Sequence, residues 1–347
     1  VEVDGVRYTA TKALVIAAGT KAAIPPIPGL DTVPFWTNRE ALKSREVPES
    51  LVVLGGGAIG CELAQVFNRF GSKVTIIEAA PRLIALEEPE AGEILAQSLT
   101  DDGISVIVGV GAKSVAKDAA TGDVSVTLAD GSVASGAVLL VATGRTSDLK
   151  SISAEVLGVD PKTHRALPTN NFLEVVDDSD SIVSGVYAIG DVAGKGAFTH
   201  VAVTQGRMVA DQILGKPTAP WDTRQVGHVT FTDPEVGAVG LTEDAARNAG
   251  ITVATASYPM ESTTRGWIHG AGNKGTFKLV VDADKGVIVG GTIVGPHAGE
   301  ILAGLTVAVV GKVPVQQLIE TVWAYPTYHR GFDAVLAELP DNLKSGR

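Results

Sequence analysis

Hydrophobic and polar positions alternate across VEVDGVRYTA, which predicts an edge hairpin, and the apolar run ALVIAAG (13–19) predicts a short strand ending in glycine. The proline-rich run KAAIPPIPG (21–29) reads as a linker. From Leu51 the pattern becomes strand, glycine turn, helix, strand in LVVLGGGAIGCELAQVFNRFGSKVTIIE, a βαβ unit whose parallel strands need a crossover helix. EPEAGEILAQSLTDDG (88–103) predicts a second helix, ISVIVG and VSVTLADG predict strands, and ASGAVLLVATGR (134–145) predicts one more strand ending in glycine. Residues 147–222 look irregular until SGVYAIGDVAG (184–194), a strand entering a glycine turn, and a helix over 200–214. A second proline-rich boundary, KPTAPWD (216–222), precedes strands near 228–232 and 236–239 and a helix in LTEDAARNAG. GTFKLVVDADKGVIVGGTIVG (275–295) predicts two strands around a tight turn, and amphipathic helices follow near 298–311 and 315–323, ending before Pro326. No repeat of fixed period is visible.

Composition narrows the classes. The chain has 347 residues, 45% hydrophobic and 19% charged, enough for two or three domains with sizeable cores. The net charge of −11, without a Lys/Arg cluster, argues against nucleic acid as a partner. The most apolar stretch, 286–311, is broken by Pro296, His297 and Glu300, so no membrane span is expected. The single cysteine, Cys61, excludes a disulfide, a CxxC pair or a cysteine zinc site within this sequence, and no metal site is expected. The opening residues have neither a Met nor a signal-peptide layout, so a cytoplasmic location is the expectation.

Gly55, Gly57 and Gly60 form G-x-G-x-x-G between a predicted strand and helix, with Gly56, Ala58 and Ile59 completing the turn. The first glycine permits the turn, the second admits a pyrophosphate against the backbone, and the third lets helix and strand pack. The helix N-terminus then offers amides and a positive dipole to phosphate. Glu78 ends the next strand, where a carboxylate can accept from ribose hydroxyls. These features point to dinucleotide binding. A carboxylate disfavours a 2′-phosphate, so NAD is expected over NADP, unless Lys73 or Arg82 compensates. Cys61 lies in the first helical turn, where either a stabilised thiolate or a small packed residue would fit.

Taken in order, VVLGGGAIGCELAQVFNRFGSKVTIIE, VLLVATGR, GVYAIGDVAG and VTFTDPEVGAVGLTE resemble the pyridine nucleotide-disulfide oxidoreductases, the family of lipoamide dehydrogenase, glutathione reductase and mercuric reductase. The resemblance covers essentially the whole chain. It implies an α/β protein with two Rossmann-like dinucleotide-binding domains, for FAD and NAD, and a C-terminal α+β dimerisation domain. The expected boundaries are an incomplete FAD domain at 1–30, a connector at 31–49, the NAD domain at 50–147, a return to the FAD domain at 148–222 and the interface domain at 223–347. By the same resemblance Ala18, Gly19 and Thr20 match an FAD-contacting strand end. Asp191, after Gly190, matches the acid that bonds the ribityl chain, and Ala197, Phe198, Thr199 and His200 would lie beside the flavin ring. Gly55 to Glu62 and Glu78 match NAD contacts, Gly144 lies near the nicotinamide side, and Glu62 would sit where nicotinamide meets flavin. A homodimer is implied, its partner surface supplied by the helices over 298–323.

The sequence departs from that pattern in three places. The family's opening FAD-binding glycine motif and its CxxxxC pair are not in this sequence, so this piece alone is expected to hold flavin poorly. Where disulfide-reducing members carry His-Pro-x-x-x-Glu, this chain reads Tyr325-Pro326-Thr327-Tyr328-His329-Arg330. A phenol with a pKa of about 10 is a poor proton shuttle near neutrality, and His329, out of register, is expected at the surface. The chain end DNLKSGR has no cysteine pair. The leading expectation is therefore an FAD-dependent NAD(P)H oxidoreductase passing hydride from NADH through flavin to a small-molecule acceptor such as a quinone. One alternative is a disulfide or metal-ion reductase using Tyr325, with His329 nearby, in a modified relay. Another is a non-catalytic NAD-binding and dimerisation fragment.

Overall fold

The computed structural model describes residues 1–344 and divides into two compact units. One unit joins Val1–Lys21 to Arg145–Val226; the other joins Ala22–Gly144 to the residues from Gly227 onward.

In the first unit the expected hairpin pairs Glu2–Val3 with Val6–Arg7. Its central sheet runs Glu174–Val176, Ile182–Ala188, Leu14–Ile16. The last pair is parallel, with Ala188 beside Ile16, so the strand before Gly19 and the strand before Gly190 end side by side. Leu149, Val159, Leu167, Val175, Ala188 and Val192 form the core beneath it. The helix Thr199–Ile213 turns Val201, Gln205 and Val209 inward, a one-face stripe at i, i+4 spacing.

The second unit contains a four-stranded parallel sheet in the order Val138–Val141, Ser50–Leu54, Lys73–Glu78, Ser105–Val108. The strand Ser50–Leu54 at its centre is apolar without alternation because both faces are covered. The helix Ala58–Arg69 buries Leu63, Ala64 and Phe67, while Pro89 starts the helix Pro89–Asp101 at a position where its missing N–H costs nothing. The stretch expected as a connector is tied to this sheet: Trp36 donates to Leu139 O, and Val141 donates to Trp36 O. It also carries a short helix, Asn38–Lys43, begun by a reciprocal Thr37–Glu40 capping box.

The same unit holds a five-stranded antiparallel sheet in the order His228–Thr230, Glu235–Gly240, Val287–Gly295, Thr276–Asp282, Val253–Pro259. The helix Ala298–Val310 packs its Ile301, Leu302 and Leu305 into that sheet's core with Phe277 and Phe332.

Several expectations change in detail. The single strand expected over 134–145 is two, Val133–Gly136 and Val138–Val141, because the chain leaves an antiparallel meander and joins the parallel sheet at Ala137, whose N–H donates to Ser50 Oγ. The linker over 21–29 begins with a two-residue strand, Lys21–Ala22. The helix expected over 315–323 stops at Ile319; the β-branched Thr321 and Val322 that follow resist helix, and Val322 is 96% exposed. The strands Ala112–Lys117 and Val253–Pro259 and the helices Thr264–His269 and Gly331–Ala337 were not expected; Ala112–Lys117 buries only Val115, too little for an apolar pattern. No helix among the described residues is long and apolar enough to cross a membrane.

Candidate functional site

The glycine turn lies at the end of Ser50–Leu54, against the neighbouring strand Lys73–Glu78. Gly55 has φ +109, and a side chain there would run into the Ala142 carbonyl. A Cβ on Gly56 would come within 2.5 Å of Leu83 and 3.0 Å of Glu78, and one on Gly60 would strike the Gly55 carbonyl. Gly57 differs: nothing lies within 4 Å of where its Cβ would be. It is the N-cap of Ala58–Arg69, and no side chain caps that helix. Three glycines are thus required by close packing, while the fourth faces open space in front of uncapped amides. That is the cradle a pyrophosphate would fill, so the residues present fit a dinucleotide.

Glu78 is half-buried, and its two oxygens accept from Gly56 N–H (2.6 Å) and Ala80 N–H (2.7 Å). These bonds fix the carboxylate beside the glycine turn and leave lone pairs for ribose hydroxyls. Neither candidate for 2′-phosphate recognition is favourably placed. Arg82 donates to the Ala85 and Glu87 carbonyls, and Lys73 stands at the opposite end of the strand from Glu78. Glu62 projects from the glycine-turn helix, and its carboxylate accepts the Phe231 N–H at 2.8 Å, while Phe231 itself is 69% exposed. Gly144 has φ +122 with open space around it, and its carbonyl accepts from Ala23 N–H.

Cys61 is fully buried and donates to the Gly56 carbonyl at 3.3 Å. Burial, with the charges of Glu78 and Glu62, pushes its thiol up to about 12. The thiolate reading is thereby answered: burial outweighs the helix terminus, and the sulfur is a packing group. Among the described residues no group of three or more His, Cys, Asp or Glu could hold a metal ion.

The first unit brings together Ala18, Gly19, Thr20, Gly190 and Asp191 at the adjacent strand ends. Thr20 Oγ1 donates to Asp191 Oδ2 at 2.8 Å. The same hydroxyl accepts from Arg145 Nε at 2.7 Å, and Arg145 also donates to the Thr20 carbonyl at 2.8 Å. The guanidinium stands 3.6 Å from the Asp191 carboxylate, so that acid is aimed by a hydroxyl and a cation together. Gly19 (φ +68) meets nothing within 4 Å, and Ala18 is exposed. Ala197, Phe198, Thr199 and His200 form the entry to the helix Thr199–Ile213, with the Phe198 and His200 rings stacked 5.4 Å apart. A glycine-bounded strand end beside an oriented carboxylate suits the hydroxyl-rich chain of a flavin.

Tyr325 and His329 make separate contacts. Tyr325 is 65% exposed under the Arg330 guanidinium, 5.6 Å from its ring centre, whereas His329 is half-buried with its ring 6.3 Å from that of Phe332. His329, expected at the surface, keeps partial exposure while the turn Tyr328–Arg330 brings its ring beside Phe332 of the helix Gly331–Ala337. Arg145, Gln205 and Phe231 join these groups without having been expected from the sequence. Arg145 had a signal, a cation directly after the glycine that ends VATG, and Gln205 had another, a polar residue on an apolar helical stripe.

Comparison with known proteins places these features in a family. The pyridine nucleotide-disulphide oxidoreductase model matches residues 1–206, and that family's dimerisation domain matches residues 226–335. The chain is 32% identical to the mercuric reductase of Staphylococcus aureus over 95% of its own length and 59% of the relative's. It is 34% identical to the dihydrolipoyl dehydrogenase of Chlorobaculum tepidum over 93% of its length and 68% of the relative's. The HOCl-induced flavoprotein disulfide reductase RclA of Escherichia coli, in its Cu(II) complex, superposes with a TM-score of 0.82 at 26% identity, covering 94% of this chain and 72% of that one. The chain thus spans little more than half the length of the mercuric reductases it matches. With both family models matched in order and the glycine turn, the acid-bearing strand end and the antiparallel C-terminal sheet all in place, the chain belongs to the pyridine nucleotide-disulphide oxidoreductase family.

Proposed function

We propose that the chain is the NAD-binding, flavin-supporting and dimerising part of an FAD-dependent NAD(P)H oxidoreductase. The observation that carries this reading is the Glu78 carboxylate fixed on the Gly56 and Ala80 amides beside an uncapped helix N-terminus. Glu78 and the helix amides would hold the adenosine ribose and the pyrophosphate, and Glu62 and Gly144 would line the nicotinamide side. Thr20, Asp191 and Arg145 would hold the flavin's ribityl chain, with 197–200 beside its ring. Bound flavin would supply hydride acceptance from the nicotinamide, while the protein orients the reactants and excludes water. Val1–Lys21 and residues 148–222 are assigned to the flavin side, 50–147 to the nucleotide domain and 223 onward to the interface domain; residues 22–30, expected on the flavin side, pack with the nucleotide sheet. Val307 and Val310, exposed on the helix Ala298–Val310, support a homodimer formed through that face.

For the acceptor, the names of the relatives support a disulfide or metal-ion reductase: mercuric reductase, dihydrolipoyl dehydrogenase and a flavoprotein disulfide reductase. A quinone is supported only by Tyr325 and Arg330 at positions where disulfide-reducing members carry a base and its carboxylate. NADH oxidation by the FAD-loaded protein, measured with lipoamide, Hg(II) and a quinone in parallel, separates them. Turnover of lipoamide or Hg(II) far above the quinone upholds the reductase reading; turnover of the quinone alone reverses it.

A further inference from the structure

We infer that Gln205 is a positioning residue for the flavin, holding Asp191 in place through the backbone of Gly190; this inference rests on the flavin reading above. Gln205 is completely buried, between Val201 and Val209 on the inward stripe of the helix Thr199–Ile213. An amide among valines is unfavourable unless it is hydrogen-bonded. Its Oε1 accepts the Gly190 N–H at 2.7 Å in a buried bond. Its Nε2 has no partner within the protein. An aliphatic side chain would avoid that unmet donor, so what glutamine supplies at this position is the acceptor for Gly190.

That acceptor acts where the chain turns toward the carboxylate. Gly190 has φ +70, and a Cβ on it would lie 3.2 Å from the Ala202 side chain, so the turn is pressed against the same helix. One residue earlier, Ile189 N–H donates to the Ile16 carbonyl and anchors the strand end. One residue later, the Asp191 carboxylate receives the Thr20 hydroxyl and faces Arg145. Asp191 is therefore held at its side chain by Thr20 and Arg145, and at the preceding amide by Gln205. With that acceptor removed, the buried amide has reason to rotate, and Asp191 moves with it.

The test compares Gln205→Leu with Val209→Ala in the full-length protein, with a flavin-pyrophosphate motif present. Both disturb the same buried helix face, but only the first removes the acceptor. FAD affinity is measured by fluorescence titration, the flavin environment by visible circular dichroism, and the flavin-free fold by thermal melting. We expect Q205L to weaken FAD binding about tenfold or more and to change the flavin dichroism. V209A should lower the melting temperature at least as much while leaving affinity and dichroism near wild type. Wild-type affinity and dichroism in Q205L would overturn the inference, as would an equal loss of FAD binding in V209A. A full-length wild-type protein, with a flavin-pyrophosphate motif present, that takes up no FAD would instead overturn the flavin reading, and the role of Gln205 with it.

Discussion

Single atoms decide the glycine turn. Gly55, Gly56 and Gly60 are each required by a close approach of backbone or side chain, whereas Gly57 faces open space. The motif therefore contains two kinds of glycine, those that shape the turn and one that leaves room before it. Beside it Cys61 shows how burial competes with a helix dipole. The dipole favours a thiolate by about 1 kcal/mol in partly exposed settings, but the sulfur here is fully buried between Glu62 and Glu78, and its pKa rises to about 12. Cys61 should resist alkylation of the native protein at mildly alkaline pH and react fully once denaturant is added. Because its folded pKa lies above the unfolded value, the stabilising contribution is complete below the unfolded pKa of about 8.5 and is lost as pH rises toward 12. Rapid native alkylation at pH 8 would contradict the buried geometry.

Among the elements, the loop that starts the helix Pro89–Asp101 is fastened to the antiparallel sheet by charge. Lys278, on the strand Thr276–Asp282, is 4% exposed and donates to Glu88 at 2.9 Å and Glu90 at 2.7 Å, with Glu243 at 3.3 Å. Burial alone would lower its pKa; the hydrogen bonds and charges of Glu90 and Glu88 outweigh it and hold the ammonium well above its ordinary value. His228 adds a 2.8 Å contact to Glu87, and Gln65 brackets Asp233 by bonding both its N–H and its carbonyl. Removing Lys278 leaves the buried Glu88 carboxylate uncompensated while Glu90 and Glu243 keep contact with solvent, so Lys278→Met should destabilise the protein by about 3 kcal/mol in a denaturant titration. The raised pKa sets the sign of the pH effect: this contribution is intact below the unfolded lysine's pKa of about 10.4 and fades as pH climbs through the folded one. A K278M protein as stable as wild type at neutral pH would show that the cluster holds nothing. None of this seam was legible in the sequence, because Glu88 and Lys278 lie 190 residues apart and each reads alone as a solvated charge.

At the scale of the whole molecule, what was legible followed from periodicity and local chemistry. The βαβ unit, the 276–295 hairpin and the long helices stood out because their apolar spacing matches a single secondary-structure period. Ala112–Lys117, with Val115 alone buried, and the short helix Thr264–His269 did not, because too few positions bear on the core to make a pattern. At the site, the glycines and Glu78 were readable since their chemistry is contained in one βαβ unit. Arg145 and Gln205 each carried a local signal, but their partners did not show, since Arg145 bonds Thr20, 125 residues away, and Gln205 bonds back to Gly190. The chain's 32–34% identity to mercuric reductases and dihydrolipoyl dehydrogenases is identity to proteins of the same family, and the proposed nucleotide contacts of Gly55–Glu78 are read from this chain's own geometry.

The most direct test of the central claim, a dinucleotide site at Gly55–Glu78 serving a flavin, is an anaerobic titration of the FAD-loaded full chain with NADH and with NADPH, followed at the visible flavin band. The proposed function predicts that NADH bleaches the band, that NADPH does so at much higher concentration, and that Glu78→Ala raises the NADH requirement about tenfold, because it removes the carboxylate that the Gly56 and Ala80 amides hold in place to accept from ribose hydroxyls. A band unchanged by NADH, or bleached equally by NADH in wild type and E78A, would contradict it.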